Sequence, residues 1–153
     1  MDSISIDDAR RPTAVEWLEF LGRSDLGSLY PQPRFAERFA RMVENVDVVA
    51  TARDGALLVG IAAGLTDFAY FLLLTDVGVA RGYERRGIGR RLVDRAIATS
   101  GGPRDICAVT WSNRKAVAFY ERCGLAPVPT LLGRECAEDA PLGPLTTEMR
   151  RRM

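Results

Sequence analysis

The chain has 153 residues, of which 47% are hydrophobic and 27% charged, and its net charge is +1. This composition is typical of a single soluble globular domain over residues 1–153, and the near-neutral charge argues against a general nucleic-acid binder. Because the sequence contains no histidine, Ser-His-Asp and Cys-His catalysis are excluded, and so are most zinc sites.

The N-terminal part of the chain is predicted to hold a short edge strand and two helices. Residues 3–7 alternate polar and apolar side chains, as an edge strand does. Residues 13–24 and 33–46 each repeat apolar residues three or four positions apart, the spacing of an amphipathic helix. The start lacks the basic-then-apolar order of a signal peptide, and no apolar run is long enough to span a bilayer. A cytoplasmic protein without membrane contact is therefore expected.

The middle of the chain reads as strands. Residues 46–52 and 56–67 flank the turn residues Arg53-Asp54-Gly55 and predict a hairpin. The apolar run 69–80 predicts a long central strand after it. These three segments form an antiparallel meander.

A strand-helix-strand unit and a last helix are predicted after the meander. A glycine loop leads into one helix, and residues 105–111 predict the next strand. Residues 112–124 predict a helix that Ser112 caps and Gly124 ends. One or two final strands are predicted at residues 125–132 and 145–153. A meander that feeds a strand-helix-strand unit indicates an α+β fold.

Residues 83–93, YERRGIGRRLV, place two glycines where a predicted strand gives way to a helix. Gly87 and Gly89 let a ligand approach the backbone, while the first amides of a helix have no partner within it. Those amides and the helix dipole favour an anion such as phosphate, and nearby arginines add attraction. A solvated basic turn with glycines chosen for packing fits the same spacing.

Two familiar phosphate motifs do not fit this loop. The P-loop requires Gly-Lys-Ser/Thr, whereas Gly89 is followed by two arginines. The dinucleotide fingerprint has three glycines early in a βαβ unit, whereas this loop follows a meander. Glu84 is expected to point to solvent or to pair with Arg81, Arg85 or Arg91, rather than to face a phosphate.

Two segments resemble the GCN5-related N-acetyltransferase (GNAT) family. Glu84-Arg85-Arg86-Gly87-Ile88-Gly89 is similar to the family's Gln/Arg-x-x-Gly-x-Gly/Ala signature, with Glu84 in place of Gln or Arg. Residues 113–125 resemble its Asn-x-x-Ala-x-x-Phe-Tyr-x-x-x-Gly-Phe segment, with Leu125 replacing the phenylalanine. The resemblance covers roughly residues 46–128. Within it, residues 48–79 resemble a branch of small bacterial enzymes related to plastid serotonin and protein acetyltransferases.

The resemblance implies a GNAT fold, with a mixed, mostly antiparallel central sheet of six to seven strands flanked by about four helices. It also implies acetyl-CoA as co-substrate, a primary amine as acceptor and direct transfer in a ternary complex. No metal is expected, because the three cysteines lack metal-ligand spacing. The implied cofactor-binding residues are Val77, Gly78, Val79, Glu84, Arg85, Arg86, Gly87, Ile88, Gly89, Arg90, Asn113 and Tyr120.

The resemblance and the composition together suggest catalytic residues. Tyr120 matches the family tyrosine that faces the CoA sulfur and is the predicted general acid, with a core aromatic as the alternative. Without histidine, the base is predicted to be a carboxylate acting through water. Asp76 is the candidate chosen and Asp67 a second one, and each could instead bind loop amides. The backbone N–H of Val79 is predicted to stabilise the carbonyl oxygen, and Cys123 is expected to be a buried thiol.

Two other functions stay open from the sequence. Glu84 and Arg85 depart from the family pattern, which favours a non-catalytic acyl-CoA-binding or regulatory module. The arginine cluster could instead bind ATP or RNA in a regulatory module. Residues 113–125 argue against that second alternative, because nucleotide binding does not require them.

The acceptor site is predicted less specifically. Aromatic residues of the N-terminal helices could line an apolar acceptor cleft or belong to the core; they are Trp17, Phe20, Tyr30, Phe35 and Phe39. Residues 131–147 could wall that cleft or support a homodimer through strand exchange.

Overall fold

The computed structural model describes residues 3–30 and 34–128. Its strands are β1 (Ile4–Asp7), β2 (Val48–Asp54), β3 (Leu57–Thr66), β4 (Phe71–Val79) and β5 (Cys107–Thr110). Its helices are α1 (Ala14–Gly22), α2 (Phe35–Asn45), α3 (Ile88–Ser100) and α4 (Val117–Arg122), with a 3-10 helix at Asp25–Leu29. Residues 125–128 of the predicted C-terminal strands are irregular, and the remainder, with residues 131–147 and Cys136, lies outside the described residues.

The strands of the described chain form one sheet in the order β1-β2-β3-β4-β5. The first four are antiparallel neighbours, and β5 runs parallel to β4 after the crossover through α3. This confirms the predicted α+β fold with a mixed, mostly antiparallel sheet. Five strands lie within the described residues, where six to seven were predicted for the whole chain. No helix in this part of the chain has the length and apolar character needed to cross a membrane.

The first helix begins where the sequence places a capping pair. Thr13 Oγ1 accepts a hydrogen bond from the Glu16 N–H at 3.1 Å, and Glu16 Oε2 accepts one from the Thr13 N–H at 2.9 Å. These bonds satisfy two amides that a helix start leaves without partners. The apolar face of α1 buries Trp17 and Phe20 completely. The helix predicted here from its spacing is confirmed, and it ends at Gly22.

The sheet separates two layers of helices. A side chain at Gly60 on β3 would meet Leu92 of α3 at 2.8 Å, whereas one at Gly78 on β4 would meet Leu26 of the 3-10 helix at 2.5 Å. Gly60 is opposite Val79 in the ladder, and neighbouring residues of a strand point to opposite faces. α3 therefore covers one face, and the 3-10 helix covers the other, together with α1 and α2, which contact one another.

A β-bulge in β4 reverses the direction of its side chains. Leu74 is opposite Gly64 and Asp76 is opposite Ala63, so Thr75 is the extra residue in the pairing. Gly64 and Ala63 are neighbours on β3 and point to opposite faces. Leu74 consequently faces the α3 layer, whereas Asp76, two residues later, faces the layer of the 3-10 helix.

The last helix is shorter than predicted and begins differently. The Ser112 hydroxyl donates to the carbonyl of Asn113 at 3.0 Å, so the prediction that it caps the helix is wrong. Asn113 Oδ1 instead accepts from the Ala116 N–H at 3.0 Å, which forms a side-chain turn before α4. Gly124, with φ +87°, ends the helix as predicted.

Gly64→Ala is expected to destabilise the fold, because the added methyl group would lie 2.5 Å from the carbonyl oxygen of Leu73 and 2.8 Å from Leu72 Cδ1. Overpacking of this kind costs about 1–3 kcal/mol. Gly22→Ala is the matched control, since a methyl group there meets nothing within 4 Å and a helix favours alanine over glycine by about 1 kcal/mol. Urea unfolding followed by circular dichroism measures both variants. Equal unfolding free energies for the two would contradict the prediction.

Candidate active site

The pairing of β4 with β5 stops partway along β4. The last pair in the ladder is Leu74 with Thr110, whose hydroxyl donates to the Leu74 carbonyl at 3.0 Å. β4 continues to Val79, and within the described residues only β3 pairs with that stretch. The Ala80 N–H donates to the Val59 carbonyl of β3 at 2.8 Å, and successive amides of a strand point to opposite sides. The Val79 N–H therefore points to the open side of β4.

The glycine loop connects this open edge to the start of α3. Gly87 precedes the helix with φ +72°, a left-handed conformation that glycine adopts without steric cost. No side chain caps the helix, so its first amides point outward from the N-terminus. A Cβ atom at Gly87 would meet nothing within 4 Å. The loop therefore presents open backbone and a helix dipole, which together suit an anion.

Charged side chains of the loop hold its own turn together. Glu84 is exposed, and its carboxylate accepts a hydrogen bond from the Gly82 N–H at 2.8 Å, a partner that the sequence does not predict. Arg86 donates to the carbonyl of the same glycine at 3.0 Å. Arg81 points away from the loop and pairs with Asp25 of the 3-10 helix at 3.1 Å. Glu84 thus helps to fix the shape of the loop by binding the backbone of Gly82.

Packing inside the protein limits the side chain at two predicted cofactor-binding glycines. A Cβ atom at Gly89 would lie 3.0 Å from the Phe119 ring of α4, and one at Gly78 would lie 2.5 Å from Leu26. A side chain at Gly78 would therefore collide with Leu26, and Gly89 leaves little room beside Phe119, whereas Gly87 is open. The remaining predicted residues of this region are half-buried (Val77, Val79), buried (Ile88) or exposed (Arg85, Arg90).

Asp76 is a buried carboxylate on the face of the sheet that the 3-10 helix covers. Its exposed fraction is 6%, and the hydroxyls of Tyr30 and Thr75 both donate to it, the latter at 3.0 Å. Burial raises the pKa of Asp76, and the two hydrogen bonds oppose that effect by stabilising the charged form. Tyr30 lies 46 residues earlier in the chain, so no local pattern indicates the contact.

Tyr120 on α4 lies close enough to Asp76 to sense its charge. Burial raises the pKa of Tyr120, a hydrogen bond with Thr110 lowers it, and negative charge on Cys123 and Asp76 raises it further. The fold thus brings the two predicted catalytic residues into electrostatic contact beside the end of β5. A tyrosine with a raised pKa stays protonated at neutral pH, so it can act as a proton donor.

The other two candidates, Asp67 and Cys123, have surroundings that suit structural rather than catalytic roles. Asp67 accepts hydrogen bonds from the amides of residues 69–71 at 3.0, 2.8 and 2.9 Å, and these bonds, that of Phe71 first, lower its pKa. It therefore binds loop amides, the alternative that the sequence left open. Burial raises the pKa of the half-buried Cys123 thiol, which disfavours its reactive thiolate. Within residues 3–30 and 34–128, no group of three cysteine or acidic side chains could hold a metal ion.

The aromatic residues of the N-terminal helices are mostly core. Trp17 and Phe20 are fully buried, and Phe39 is 3% exposed, so these three do not line an open cleft. Tyr30 packs edge-on against Phe35 and Phe39 with ring centroids 5.8 Å apart in each case. The cluster therefore supports the ring whose hydroxyl reaches Asp76.

Comparisons with known proteins point to one family. Residues 13–125 match the family model described as the acetyltransferase (GNAT) family. The chain is similar in structure to a GNAT-family acetyltransferase from Streptococcus pneumoniae, with 20% identity, a TM-score of 0.64, and coverage of 86% of this chain and 99% of that one. A sequence comparison with curated proteins gave no match.

Two further solved structures share the fold. One is glucosamine-6-phosphate N-acetyltransferase from Arabidopsis thaliana, with 14% identity, a TM-score of 0.61, and coverage of 90% of this chain and 99% of that one. The other is an aminoglycoside acetyltransferase from an uncultured soil metagenomic sample, in complex with sisomicin. It has 12% identity, a TM-score of 0.65, and coverage of 89% of this chain and 97% of that one. At such identities the likeness establishes the fold and leaves the acceptor to be argued from the site.

The unfolding free energy of Asp76→Asn, relative to that of the wild type, is expected to rise with pH. Burial raises the pKa of Asp76 above its value in the unfolded chain, so the folded protein holds this proton more tightly. The wild type therefore loses stability as the pH rises from the ordinary carboxyl pKa through the raised value, and the asparagine variant does not. Urea unfolding of both proteins at about pH 4 and about pH 8 measures the difference. A difference that stays constant or shrinks at the higher pH would contradict the expectation.

Proposed function

The chain belongs to the GNAT acetyltransferase family, and on that basis we propose that it transfers the acetyl group of acetyl-CoA to a primary amine. The transfer is direct, with both substrates bound together. One observation carries the proposal: beyond its last pair with β5, β4 holds Asp76 and an open edge, and it leads through the glycine loop into the uncapped start of α3.

Acetyl-CoA is proposed to bind to open backbone at two places, the end of β4 and the start of α3. The pantetheine arm, which carries amide groups, would pair with β4 at residues 77–79, as an added strand pairs with a sheet edge. The pyrophosphate would lie on the amides of residues 85–90 at the start of α3. The open space beside Gly87 supports this second assignment, because a phosphate can approach the backbone closely there. Asn113 contributes through α4, whose preceding turn it holds.

Each step of the reaction has a group nearby. The amine nitrogen attacks the thioester carbonyl carbon, a C–N bond forms, and the C–S bond breaks. The Val79 N–H would stabilise the negative charge that develops on the carbonyl oxygen. The amine gives its proton to Asp76 through water, and Tyr120 gives a proton to the leaving thiolate. The products are an amide and free CoA thiol, and a proton passing from Asp76 to Tyr120 restores both residues.

The surroundings of the two residues suit these roles. A carboxylate with a raised pKa accepts a proton more readily than an ordinary one. Burial keeps Tyr120 protonated until the leaving sulfur gains negative charge. Return of the proton from Asp76 to Tyr120 is favoured because a phenol binds a proton more tightly than a carboxylic acid does.

A non-catalytic acyl-CoA-binding or regulatory module is the second candidate. Glu84 replaces the Gln or Arg of the family signature, and Arg85 adopts φ +62°, which costs a residue other than glycine about 1–2 kcal/mol. Such a module would keep the open edge of β4 and the loop but would have no need of Asp76 and Tyr120. CoA release over a panel of primary amines separates the two: release with any amine favours the enzyme, and binding without release favours the module.

The proposed partners are acetyl-CoA and an amine acceptor. The cytoplasmic location and the homodimer stay predictions, and light scattering during size-exclusion chromatography tests the latter. The narrower resemblance of residues 48–79 to the bacterial branch related to plastid acetyltransferases also stays a prediction.

Gly87→Val is expected to abolish acetyl-CoA binding, because its side chain would fill the space beside the loop where the pyrophosphate is proposed to lie. Gly102→Val is the matched control: Gly102 also has a left-handed φ, +100°, and open space around it, but lies about 20 Å away at the other end of α3. Thermal shift with acetyl-CoA measures binding. Normal affinity in Gly87→Val would contradict the pyrophosphate assignment, and a wild-type shift with ATP or RNA but not with acetyl-CoA would contradict the proposed function.

Tyr120→Phe is expected to lower kcat about 100-fold, within the range for loss of a general acid, and to leave acetyl-CoA affinity unchanged. Phenylalanine keeps the packing of the ring and removes only its hydroxyl. Tyr70→Phe is the matched control, because Tyr70 is 70% exposed in the β3–β4 hairpin. Rates of CoA release with an active amine, and acetyl-CoA titrations, measure the two effects. A wild-type kcat in Tyr120→Phe would remove Tyr120 from the proton transfer.

A further inference from the structure

A groove of about 480 Å³ lies between α2 and the sheet, beside the buried carboxylate. One wall is a single face of α2 and its end, and the other wall belongs to β3 and β4. The helical residues follow the spacing i, i+3, i+4, i+7 and i+8, which places them on one side of the helix. The lining residues are Arg38, Arg41, Met42, Asn45, Val46, Leu65 and Thr75.

The groove leads to the candidate active site through one side chain. Thr75 lines the groove, and its hydroxyl donates to Asp76 at 3.0 Å. Asp76 faces this layer only because of the β4 bulge, since a regular strand would turn it toward α3. An amine bound in the groove would therefore have its nitrogen near the proposed base.

The charged side chains that are seen to line the groove are basic. Among the described residues, its lining includes two arginines, Arg38 and Arg41, and no acidic side chain, while the Thr75 hydroxyl donates to the carboxylate of Asp76. The lining also includes the apolar side chains of Met42 and Leu65. Arg41 also pairs with Glu37 along the helix at 2.8 Å, and both side chains are more than half exposed. Such a pair contributes little in water, so an incoming anion can compete with Glu37 for the guanidinium.

We propose that this groove binds the body of the acceptor, and that the acceptor is a small primary amine with an apolar body and an anionic group remote from the amine. This inference rests on the proposed function, which it refines by naming the acceptor class. The amine would lie toward Thr75 and Asp76, the apolar body against Met42 and Leu65, and the anion at Arg41. A volume of about 480 Å³ falls in the range of small-molecule sites.

Three amines that differ in one substituent test the proposal: benzylamine, 4-(aminomethyl)benzoate and 4-(aminomethyl)benzylamine. They carry at the far end a hydrogen, an anion and a cation, respectively. The wild type is expected to give the highest kcat/KM with the benzoate, about fivefold above benzylamine as an exposed charge pair provides, and the lowest with the diamine. Arg41→Gln is expected to remove most of the benzoate's advantage, and Arg41→Glu to reverse it.

Arg95→Gln is the matched control. Arg95 is a half-exposed arginine of α3 that pairs with Asp8 at 3.9 Å, and α3 lies on the opposite face of the sheet from α2. This variant removes the same net charge and is expected to keep the benzoate's advantage. Equal rates with the three amines, or an advantage that Arg41→Gln and Arg95→Gln change alike, would overturn the acceptor class while leaving acetyl transfer intact.

Calorimetric titration of the three amines into the CoA-loaded protein separates a failure of this inference from a failure of the proposed function. Preferred binding of the benzoate that Arg41→Gln weakens, without CoA release from acetyl-CoA, would support the groove and contradict the enzyme. Absence of binding by all three amines, or a preference for benzylamine or the diamine, would overturn the inference whatever the rates.

Discussion

The hydroxyl of Thr110 donates a hydrogen bond to the Leu74 carbonyl at the last paired position of β4 and β5, and the candidate site depends on where that pairing ends. β5 leaves the sheet there, while β4 continues to Val79. A strand in mid-sheet would have both edges occupied and could offer no backbone to a ligand. The same threonine influences the pKa of Tyr120, so the end of the ladder and the proposed acid lie close together.

The β4 bulge determines which face of the sheet Asp76 lies on. Without the extra residue Thr75, Asp76 would share a face with Leu74 and be buried against α3. With it, the carboxylate turns toward the 3-10 helix and receives the Tyr30 hydroxyl. The layer around α3 then provides the loop and the helix start for acetyl-CoA, and the opposite layer provides the base and the groove. The proposed reaction takes place at the open edge of β4, which separates these two layers.

The glycines of the site show how one residue type serves different needs. Gly89 and Gly78 allow Phe119 and Leu26 to approach the backbone, and an added side chain would crowd Phe119 and collide with Leu26. Gly87 faces open space in a left-handed conformation, so its requirement comes from the turn and from the proposed ligand. The sequence alone does not distinguish these two needs, because a glycine lacks a side chain in either case.

Local patterns in the sequence determined the elements and the family. The period of apolar residues and the Thr13–Glu16 capping pair fixed α1, because the forces involved act within one or two turns. The start of α4 was predicted wrongly because Ser112 and Asn113 compete for the same turn, and only the path of the chain after β5 selects between them. The Tyr30 contact with Asp76, the reversal at Thr75 and the groove on α2 arose only from tertiary structure. They join residues distant in the chain, whose meeting is decided by strand register and by how helices pack across the sheet.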